Sequence, residues 1–205
     1  MHRYEDQPVV DGELEQPASL VVIDDDEALI DICRLQTRRH GTFTFAGFAT
    51  TAREGFDIIG DLRPNIVLVD LSLPDADGRS VMPQLAVTFP ETMVAALTAR
   101  DAEQTEAEVL ATGAFAYYEK SMLIKGRLFQ YLAQDLSLFR RALRGEDVVA
   151  PSALARRRSR SADPEVAEGL AAGCPAVAGC RFGRALAEER SRLGRRPALA
   201  GRWSR

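Results

Sequence analysis

The chain has 205 residues, 46% of them hydrophobic, and a formal net charge of −4 at pH 7. This length suits one domain with a well-formed core plus an appendage. No apolar run is long enough to cross a bilayer and the first residues lack a signal-peptide pattern, so we expect a cytoplasmic protein. Cys33, Cys174 and Cys180 lack zinc-ligand spacing and are odd in number, which indicates neither a structural zinc site nor a disulfide framework.

Charge is distributed unevenly along the chain. Residues 1–139 carry 23 acidic and 11 basic residues, whereas residues 140–205 carry 7 acidic and 15 basic residues, all of them arginine. The two parts therefore have net charges of −12 and +8. A basic tail on an acidic body fits either contact with nucleic acid or a solvated tail attracted to its own domain.

A lead-in and two strand–helix units are predicted before Pro64. Residues 1–18 lack an apolar face, which predicts a disordered segment. Leu20–Ile23 predicts a buried strand, and the helix that follows ends at Gly41. Residues 42–46 alternate between polar and apolar, as is typical of a less buried strand. The apolar faces of the two predicted helices consist of Ala28, Leu29, Ile32 and Leu35, and of Ala52, Phe56, Ile59 and Leu62.

The third predicted strand is the most informative stretch. Four β-favouring residues, Ile66–Val69, run without alternation into Asp70, and a loop with Pro74 and Gly78 follows. Such a run predicts a strand of a parallel sheet buried on both faces, with Asp70 at the carboxyl edge, where ligands bind in open α/β folds. The alternative for a lone strand-end acid is a solvated loop carboxylate. A short helix is predicted over residues 79–89.

Two further units complete the pattern. Met93–Thr98 predicts a fourth buried strand, residues 101–112 an acidic helix, and residues 114–118 a fifth strand. Apolar positions three and four apart predict the last helix over Lys125–Leu143. Five such units predict one α/β domain over residues 19–144, with a doubly wound five-stranded parallel sheet and helices on both faces.

The composition changes beyond residue 144. Residues 150–205 are dominated by Ala, Arg, Gly, Ser and Pro and contain almost no β-branched residues. We expect a mostly disordered tail with short helical fragments. It has too few apolar anchors for the two patterned helices of a helix-turn-helix reader of DNA.

Four groups of polar residues should meet at the carboxyl edge of the sheet. Asp24 and Asp25 follow the first strand, Asp70 follows the third, Thr98 ends the fourth and Lys120 follows the fifth. Three carboxylates held together repel one another and favour a cation, and oxygen ligands suit Mg²⁺. A hydroxyl and an ammonium facing the same carboxylate are suitable donors to phosphoryl oxygens. The pattern therefore indicates phosphoryl transfer to Asp70.

A simpler role is open to each of these residues. The acids after the first strand could cap the first helix, although capping accounts for one acid rather than three. Thr98 could be a strand hydroxyl satisfied by the backbone, and Lys120 could be a solvated charge. Tyr117 could be an aromatic that packs on the core or its rim.

Taken together, four motifs over residues 19–143 resemble the receiver domain of bacterial two-component response regulators. The motifs are Val22-Ile23-Asp24-Asp25-Asp26, Val69-Asp70-Leu71-Ser72-Leu73-Pro74 with Asp77-Gly78, Leu97-Thr98-Ala99, and Tyr117-Tyr118-Glu119-Lys120. The resemblance implies a flavodoxin-like strand order, 2-1-3-4-5. It also implies that a sensor histidine kinase or a phosphotransfer protein phosphorylates Asp70. The resemblance implies an Mg²⁺ site as well, with Asp25, Asp70 and the Ser72 carbonyl as ligands and Asp24 assisting through water.

The same resemblance assigns the remaining site residues. Thr98 would hydrogen-bond the phosphoryl group, Lys120 would pair with it, and Tyr117 would be the rotating switch aromatic. The family usually has proline after this lysine, joined through a cis peptide, whereas this chain has Ser121. A cis bond before serine costs on the order of 3 kcal/mol, so either the strain is retained or the turn is rebuilt.

Phosphorylation should change the face formed by the fourth helix, the fifth strand and the last helix, for a downstream protein or a second copy of the chain. Opposite charges on the two helices suit a two-fold contact between copies. These charges are Glu103, Glu106 and Glu108 on one helix, and Lys125, Arg127, Arg140 and Arg141 on the other.

Three functions are compatible with these residues. The first is a stand-alone phosphoacceptor that changes its protein partner, and the second is a nucleic-acid-binding regulator that uses the Arg-rich tail. The third is a phosphatase with an aspartate nucleophile, which needs a second acid two residues further on. Ser72 occupies that position, and its hydroxyl cannot replace the acid, which argues against an enzyme.

Overall fold

The structure is a computed structural model that describes residues 16–99, 102–146 and 148. The predicted lead-in, except for its last three residues, and almost all of the predicted tail lie outside the described residues. The elements in chain order are β1 (Ala18–Ile23), α1 (Glu27–His40), β2 (Phe43–Ala49), α2 (Ala52–Leu62), β3 (Ile66–Val69), α3 (Gly78–Thr88), β4 (Met93–Thr98), α4 (Ala102–Ala111), β5 (Ala116–Glu119), α5 (Lys120–Ile124) and α6 (Leu128–Leu143).

The five strands form one sheet in the order β2-β1-β3-β4-β5, with all neighbours parallel. The predicted doubly wound sheet and its strand order are therefore confirmed. Ile23 pairs with Val69, Val69 with Ala96, and Ala96 with Tyr117, so the carboxyl ends of four strands are in line. Residues that follow these strands are delivered to the same edge.

Two hydrophobic cores cover the two faces of the sheet. Successive β1 residues alternate between them: Val22 packs with side chains of α1 and α6, whereas Val21 packs with side chains of α2, α3 and α4. All four residues of β3 are buried. The unalternated apolar run of β3 therefore reflects burial on both sides, as the sequence predicts.

The buried face of α1 differs from the predicted one. Leu29 is buried as predicted and Ile32 packs against the core, but Ala28 and Leu35 are exposed, with Leu35 at 50%. The helix also buries the side chains at 30, 33 and 37, which were not predicted. Thr37 tolerates burial because its hydroxyl donates to the Cys33 carbonyl at 2.7 Å. Two overlapping apolar faces are possible on this helix. Packing against the sheet buries the one that contains Ile30 and Cys33.

The segment after β5 also corrects the prediction. The sequence predicts a connection followed by a helix from Lys125, but Lys120–Ile124 forms the short helix α5 and α6 begins only at Leu128. Gly126 adopts a left-handed backbone, φ 69°, between the two helices. No peptide bond in the described ranges is cis. The turn at Ser121 is therefore rebuilt as a helix rather than strained.

Both boundaries of the folded body lie slightly outside the predicted 19–144. Ala18 already belongs to β1 and is 1% exposed. Val148 is 6% exposed and packs in the core with α6. Glu146 pairs with Arg141 at 2.7 Å and with Arg144 at 2.9 Å, which helps to return the chain toward the core.

Gly78, at the start of α3, sits against the backbone that follows β3. A Cβ at this position would lie 2.7 Å from Leu71 Cα and would also clash with the Asp70 carbonyl oxygen. We expect Gly78→Ala to lower the free energy of unfolding by about 1–3 kcal/mol, because backbone atoms would have to move.

Urea denaturation of Gly78→Ala beside Gly60→Ala tests this expectation. Gly60 is a helical glycine at which an added Cβ would approach Phe89 Cζ no closer than 4.0 Å, so its replacement should be neutral or stabilise by up to about 1 kcal/mol. If the two variants were equally stable, the backbone at Asp70 and Leu71 would accommodate the added Cβ with no loss of stability, and the expectation would be wrong.

Candidate functional site

Backbone hydrogen bonds fix two aspartates at the carboxyl edge of the sheet. Asp70 N donates to the Ile23 carbonyl at 2.8 Å, and Asp24 N donates to the Ala49 carbonyl at 3.0 Å. These bonds continue the sheet by one residue beyond β3 and β1. The two carboxyl groups are therefore held by the regular ladder rather than by a loop.

Three carboxylates meet at this edge. One oxygen each from Asp24, Asp25 and Asp70 lies within 4.8 Å of the others. Asp24 is fully buried and Asp70 is 5% exposed, while Asp25 is exposed to solvent. The predicted acidic cluster is thus assembled in the structure with two buried members and one open one.

The Lys120 ammonium lies between the two buried carboxylates. Its Nζ is 2.9 Å from Asp24 Oδ1, 2.8 Å from Asp24 Oδ2 and 3.0 Å from Asp70 Oδ2. The side chain is 14% exposed. Lys120 is the first residue of α5, and the helix that replaces the expected proline turn still directs the ammonium to both acids.

Burial and neighbouring charges shift the pKa values of Asp24 and Lys120 in opposite directions. Burial raises the pKa of Asp24, and the hydrogen bond from Lys120 only partly offsets that effect. Burial would lower the pKa of Lys120, but hydrogen bonds to Asp24 and Asp70 outweigh it and the pKa is raised. Lys120 therefore stays protonated at neutral pH.

One oxygen of Asp24 lacks a hydrogen bond among the described residues. Asp24 Oδ1 accepts from Asp26 N at 3.0 Å and from Lys120. Oδ2 is buried, and although the ammonium is close to it, the angle does not give a hydrogen bond. A buried carboxylate oxygen with spare capacity, beside two further carboxylates, fits a hard cation or its water ligand.

The loop after β3 is closed at its base. Ser72 pairs with Asp77 in an antiparallel bridge, and Gly78 N donates to the Leu71 carbonyl at 2.9 Å. Ser72 itself is exposed. This places the predicted backbone ligand two residues beyond Asp70 in a closed turn.

Thr98 and Tyr117 lie at the same end of the sheet. Thr98 ends β4 opposite Glu119 and is 1% exposed. Tyr117 is also 1% exposed and packs in the core beneath α3 and α4, so the structure has its ring turned inward. Their predicted roles toward a phosphoryl group stay predictions.

Sequence reasoning missed one residue of the loop after β3. Asp75 accepts hydrogen bonds from Ala52 N at 2.8 Å and Arg53 N at 3.1 Å, at the start of α2. An isolated acid after Pro74 carries no signal that distinguishes it from a solvated charge. Only the folded structure shows that it joins two elements.

Comparison with known proteins places this geometry in a family. The family model for the response regulator receiver domain matches residues 20–132. The chain belongs to the response regulator receiver family. Such receiver domains act in two-component signalling, interact with histidine kinases or phosphotransfer proteins, and bind Mg²⁺ at a cluster of aspartates of the kind seen here.

Curated relatives of this receiver are longer proteins. Response regulator MprA of Mycolicibacterium vanbaalenii is 31% identical over 74% of this chain and 63% of its own length. The virulence transcriptional regulatory protein PhoP of Salmonella typhimurium is 32% identical over 60% of this chain and 52% of its own length. The chain thus spans about half to three-fifths of the relatives that it matches.

Solved structures agree on the fold of the receiver. A CheY-like receiver domain protein from Methanospirillum hungatei superposes with a TM-score of 0.54 at 23% identity, covering 62% of this chain and 98% of that one. A LuxR-family response regulator from Aurantimonas gives a TM-score of 0.55 at 20% identity, over 60% and 86% of the two chains. Within the described residues of the receiver, no helix is long and apolar enough to cross a membrane.

Because the Asp24 carboxylate is buried, removal of its charge should stabilise the fold by an amount that depends on pH. Because the pKa of Asp24 is raised above the ordinary 3.8, ionisation of this residue destabilises the fold as pH rises through the folded pKa. Asp24→Asn should therefore be more stable than wild type at pH 7, since Lys120 keeps Asp70 as its partner. The difference should shrink as pH falls toward 3.8.

Urea unfolding at pH 7 and pH 4, in EDTA, measures this difference. Asp61→Asn removes an exposed acid of α2 and serves as the control for net charge. A less stable Asp24→Asn protein at pH 7 would mean that the ion pair with Lys120 outweighs the cost of burial.

Proposed function

We propose that this chain is a phosphoacceptor response regulator in which Asp70 receives a phosphoryl group from a histidine kinase or a phosphotransfer protein. The observation that carries the proposal is the position of Lys120 Nζ, 3.0 Å from Asp70 Oδ2 beside two further carboxylates. A solvated loop acid would have no such surroundings. The proposal keeps the cytoplasmic location expected from the sequence.

The acidic cluster would hold Mg²⁺. Its direct ligands would be Asp25, Asp70 and the Ser72 carbonyl, with Asp24 contributing through water. The bound ion would neutralise charge on the phosphoryl oxygens. The exposed Asp25 and the Oδ2 atom of Asp24 support this assignment, because both retain capacity for a ligand.

The chain's own groups account for the transfer. One Asp70 oxygen attacks phosphorus, the bond from phosphorus to the donor nitrogen breaks, and that nitrogen leaves with the electron pair and takes up a proton. Lys120 would move its ion pair to the phosphoryl oxygens, and the Thr98 hydroxyl would donate to one of them. The same contacts would assist later hydrolysis by water, so the chain promotes its own phosphorylation and dephosphorylation.

A small phosphodonor tests the proposal without a kinase. With acetyl phosphate and Mg²⁺, wild type should gain one phosphoryl group by intact-mass spectrometry, and Asp70→Asn should gain none. Asp25→Ala should lose most of the rate yet remain as stable as wild type or become more stable, because one of three crowded carboxylates is removed. Modification of Asp70→Asn would refute the acceptor assignment, and a normal rate in Asp25→Ala would refute the metal assignment.

The output would emerge on the face formed by α4, β5 and α6. If Thr98 and Lys120 are drawn toward the phosphoryl group, Tyr117 could turn into the space that they leave.

The charges predicted for this face need two corrections. Glu106 is 2% exposed and belongs to the interior. Lys125 and Arg127 precede α6 and do not lie on it. Glu108 and Lys125 are exposed and can still contribute to a contact between copies, although Glu108 already pairs with Arg79 at 3.3 Å.

Beryllofluoride, a mimic of the phosphoryl group, tests this output. Sedimentation velocity should show a shift from monomer toward dimer when beryllofluoride and Mg²⁺ are added to wild type. Asp70→Asn, which lacks the acceptor carboxylate, should not shift. If wild type remains a monomer in both states at high concentration, phosphorylation acts through a different protein partner.

A second candidate is a nucleic-acid-binding regulator controlled by the receiver. The Arg-rich composition of residues 145–205 favours it, and several relatives are named transcriptional regulatory proteins. Binding through arginine would release counterions, so log affinity should fall steeply with log salt. Failure to bind DNA or RNA at low salt would remove this candidate and leave the phosphoacceptor function intact.

A further inference from the structure

Asp75 lies in the loop between β3 and α3, but its carboxylate contacts a different helix. Oδ1 accepts from Ala52 N at 2.8 Å and Oδ2 accepts from Arg53 N at 3.1 Å. Slight burial would raise the pKa of Asp75, but these two backbone hydrogen bonds outweigh it and lower the pKa below 3.8. At neutral pH both oxygens are therefore charged acceptors at the start of α2, where the helix dipole also favours them.

The start of α2 also has a cap from its own sequence. The Thr51 hydroxyl accepts from Glu54 N at 3.2 Å, and the Thr51 carbonyl accepts from Gly55 N at 3.0 Å. Glu54 in turn accepts from Thr50 N at 3.2 Å. α2 thus carries a local cap from its own sequence, and Asp75 adds a connection from a segment 22 and 23 residues away.

Asp75 connects the tip of the loop between β3 and α3 to α2. The base of the same loop carries Ser72, the proposed backbone ligand of Mg²⁺. At the base, Ser72 bridges to Asp77, and Asp77 caps α3 through Arg79 N at 2.9 Å. At the tip, Asp75 reaches back to α2, which follows β2, and the end of β2 in turn supports Asp24 through the Ala49 carbonyl. The loop is therefore tied to α3 at its base and to α2 at its tip.

We propose that Asp75 is a positioning residue that holds the loop so that the Ser72 carbonyl faces the carboxylates of Asp24 and Asp25. This inference rests on the proposed function, because it concerns the same Mg²⁺ site. Asp75 touches neither the metal nor the phosphoryl group. Its effect is to reduce the freedom of the one backbone ligand, so that less conformational entropy is lost when the ion binds.

Asp75 has two rival roles that controls can separate from loop positioning. It could stabilise α2 without affecting the site, or it could attract Mg²⁺ only through its charge. Thr51→Ala weakens the same helix start without touching the loop, and Asp61→Asn removes an exposed charge from the same helix. These variants are the matched controls for helix stability and for net charge.

Magnesium titrations of the full chain, followed by the amide shifts in two-dimensional NMR, supply the test. Asp75→Ala should weaken Mg²⁺ affinity by about tenfold, the lower end for residues that orient a metal ligand. Asp75→Asn should weaken it less, because its amide oxygen still accepts one of the two bonds. The two controls should bind Mg²⁺ as wild type does, and Asp75→Ala should reach a near-normal phosphorylation rate at saturating Mg²⁺.

The outcomes separate this inference from the proposed function. Unchanged Mg²⁺ affinity in Asp75→Ala would overturn the inference, as would an equal loss in Thr51→Ala. If Asp75→Ala does not fold, unchanged affinity in Asp75→Asn, together with altered amide shifts at Ala52 or Arg53 that show a lost hydrogen bond, overturns it. Wild type that binds Mg²⁺ but takes no phosphoryl group refutes the proposed function alone, and wild type that does not bind Mg²⁺ refutes both.

Discussion

The contact between Lys120 and the two buried carboxylates is the constraint on which the site depends. Asp24 and Asp70 directly follow two strands that pair with each other. The sheet therefore brings two like charges together at buried positions. One ammonium within 3.0 Å of both offsets much of that repulsion. With Asp25 at the rim, three carboxylates face the Lys120 ammonium, and the remaining negative charge favours the Mg²⁺ proposed for this site.

This contact is made by topology and not by nearness in sequence. Lys120 is 96 residues from Asp24 and 50 residues from Asp70. Parallel pairing puts every strand's carboxyl end at one edge, and the short helix α5 then turns the Lys120 side chain back over that edge. Gln36 of α1 donates to the Leu123 carbonyl at 2.6 Å, which ties α5 to the helix that follows Asp24 and Asp25.

The sequence was sufficient for the sheet and for the residues at its edge, because both depend on strong local signals. Unalternated runs such as Ile66–Val69 identify strands buried on both faces, and the acids that end them follow directly. The burial of Ile30, Cys33 and Thr37 on α1 was not predicted. The interior position of Glu106 and the link from Asp75 to α2 were also not predicted. Each depends on which elements pack together, and periodicity within one helix or loop carries no information about that.

Strand β5 shows how the two faces of the sheet can respond differently to one event at the edge. Adjacent residues point to opposite cores: Tyr117 packs with α3 and α4, and Tyr118 packs with α6. The Tyr118 hydroxyl donates to the buried carboxylate of Asp135, so α6 is anchored to β5 by a buried polar contact. Breaking this contact would leave the buried Asp135 carboxylate without the Tyr118 hydroxyl, which costs more than losing a neutral hydrogen bond at the surface. On the proposed function, Tyr117 turns on the α4 side of β5, and the contact between Tyr118 and Asp135 keeps α6 in place when it does.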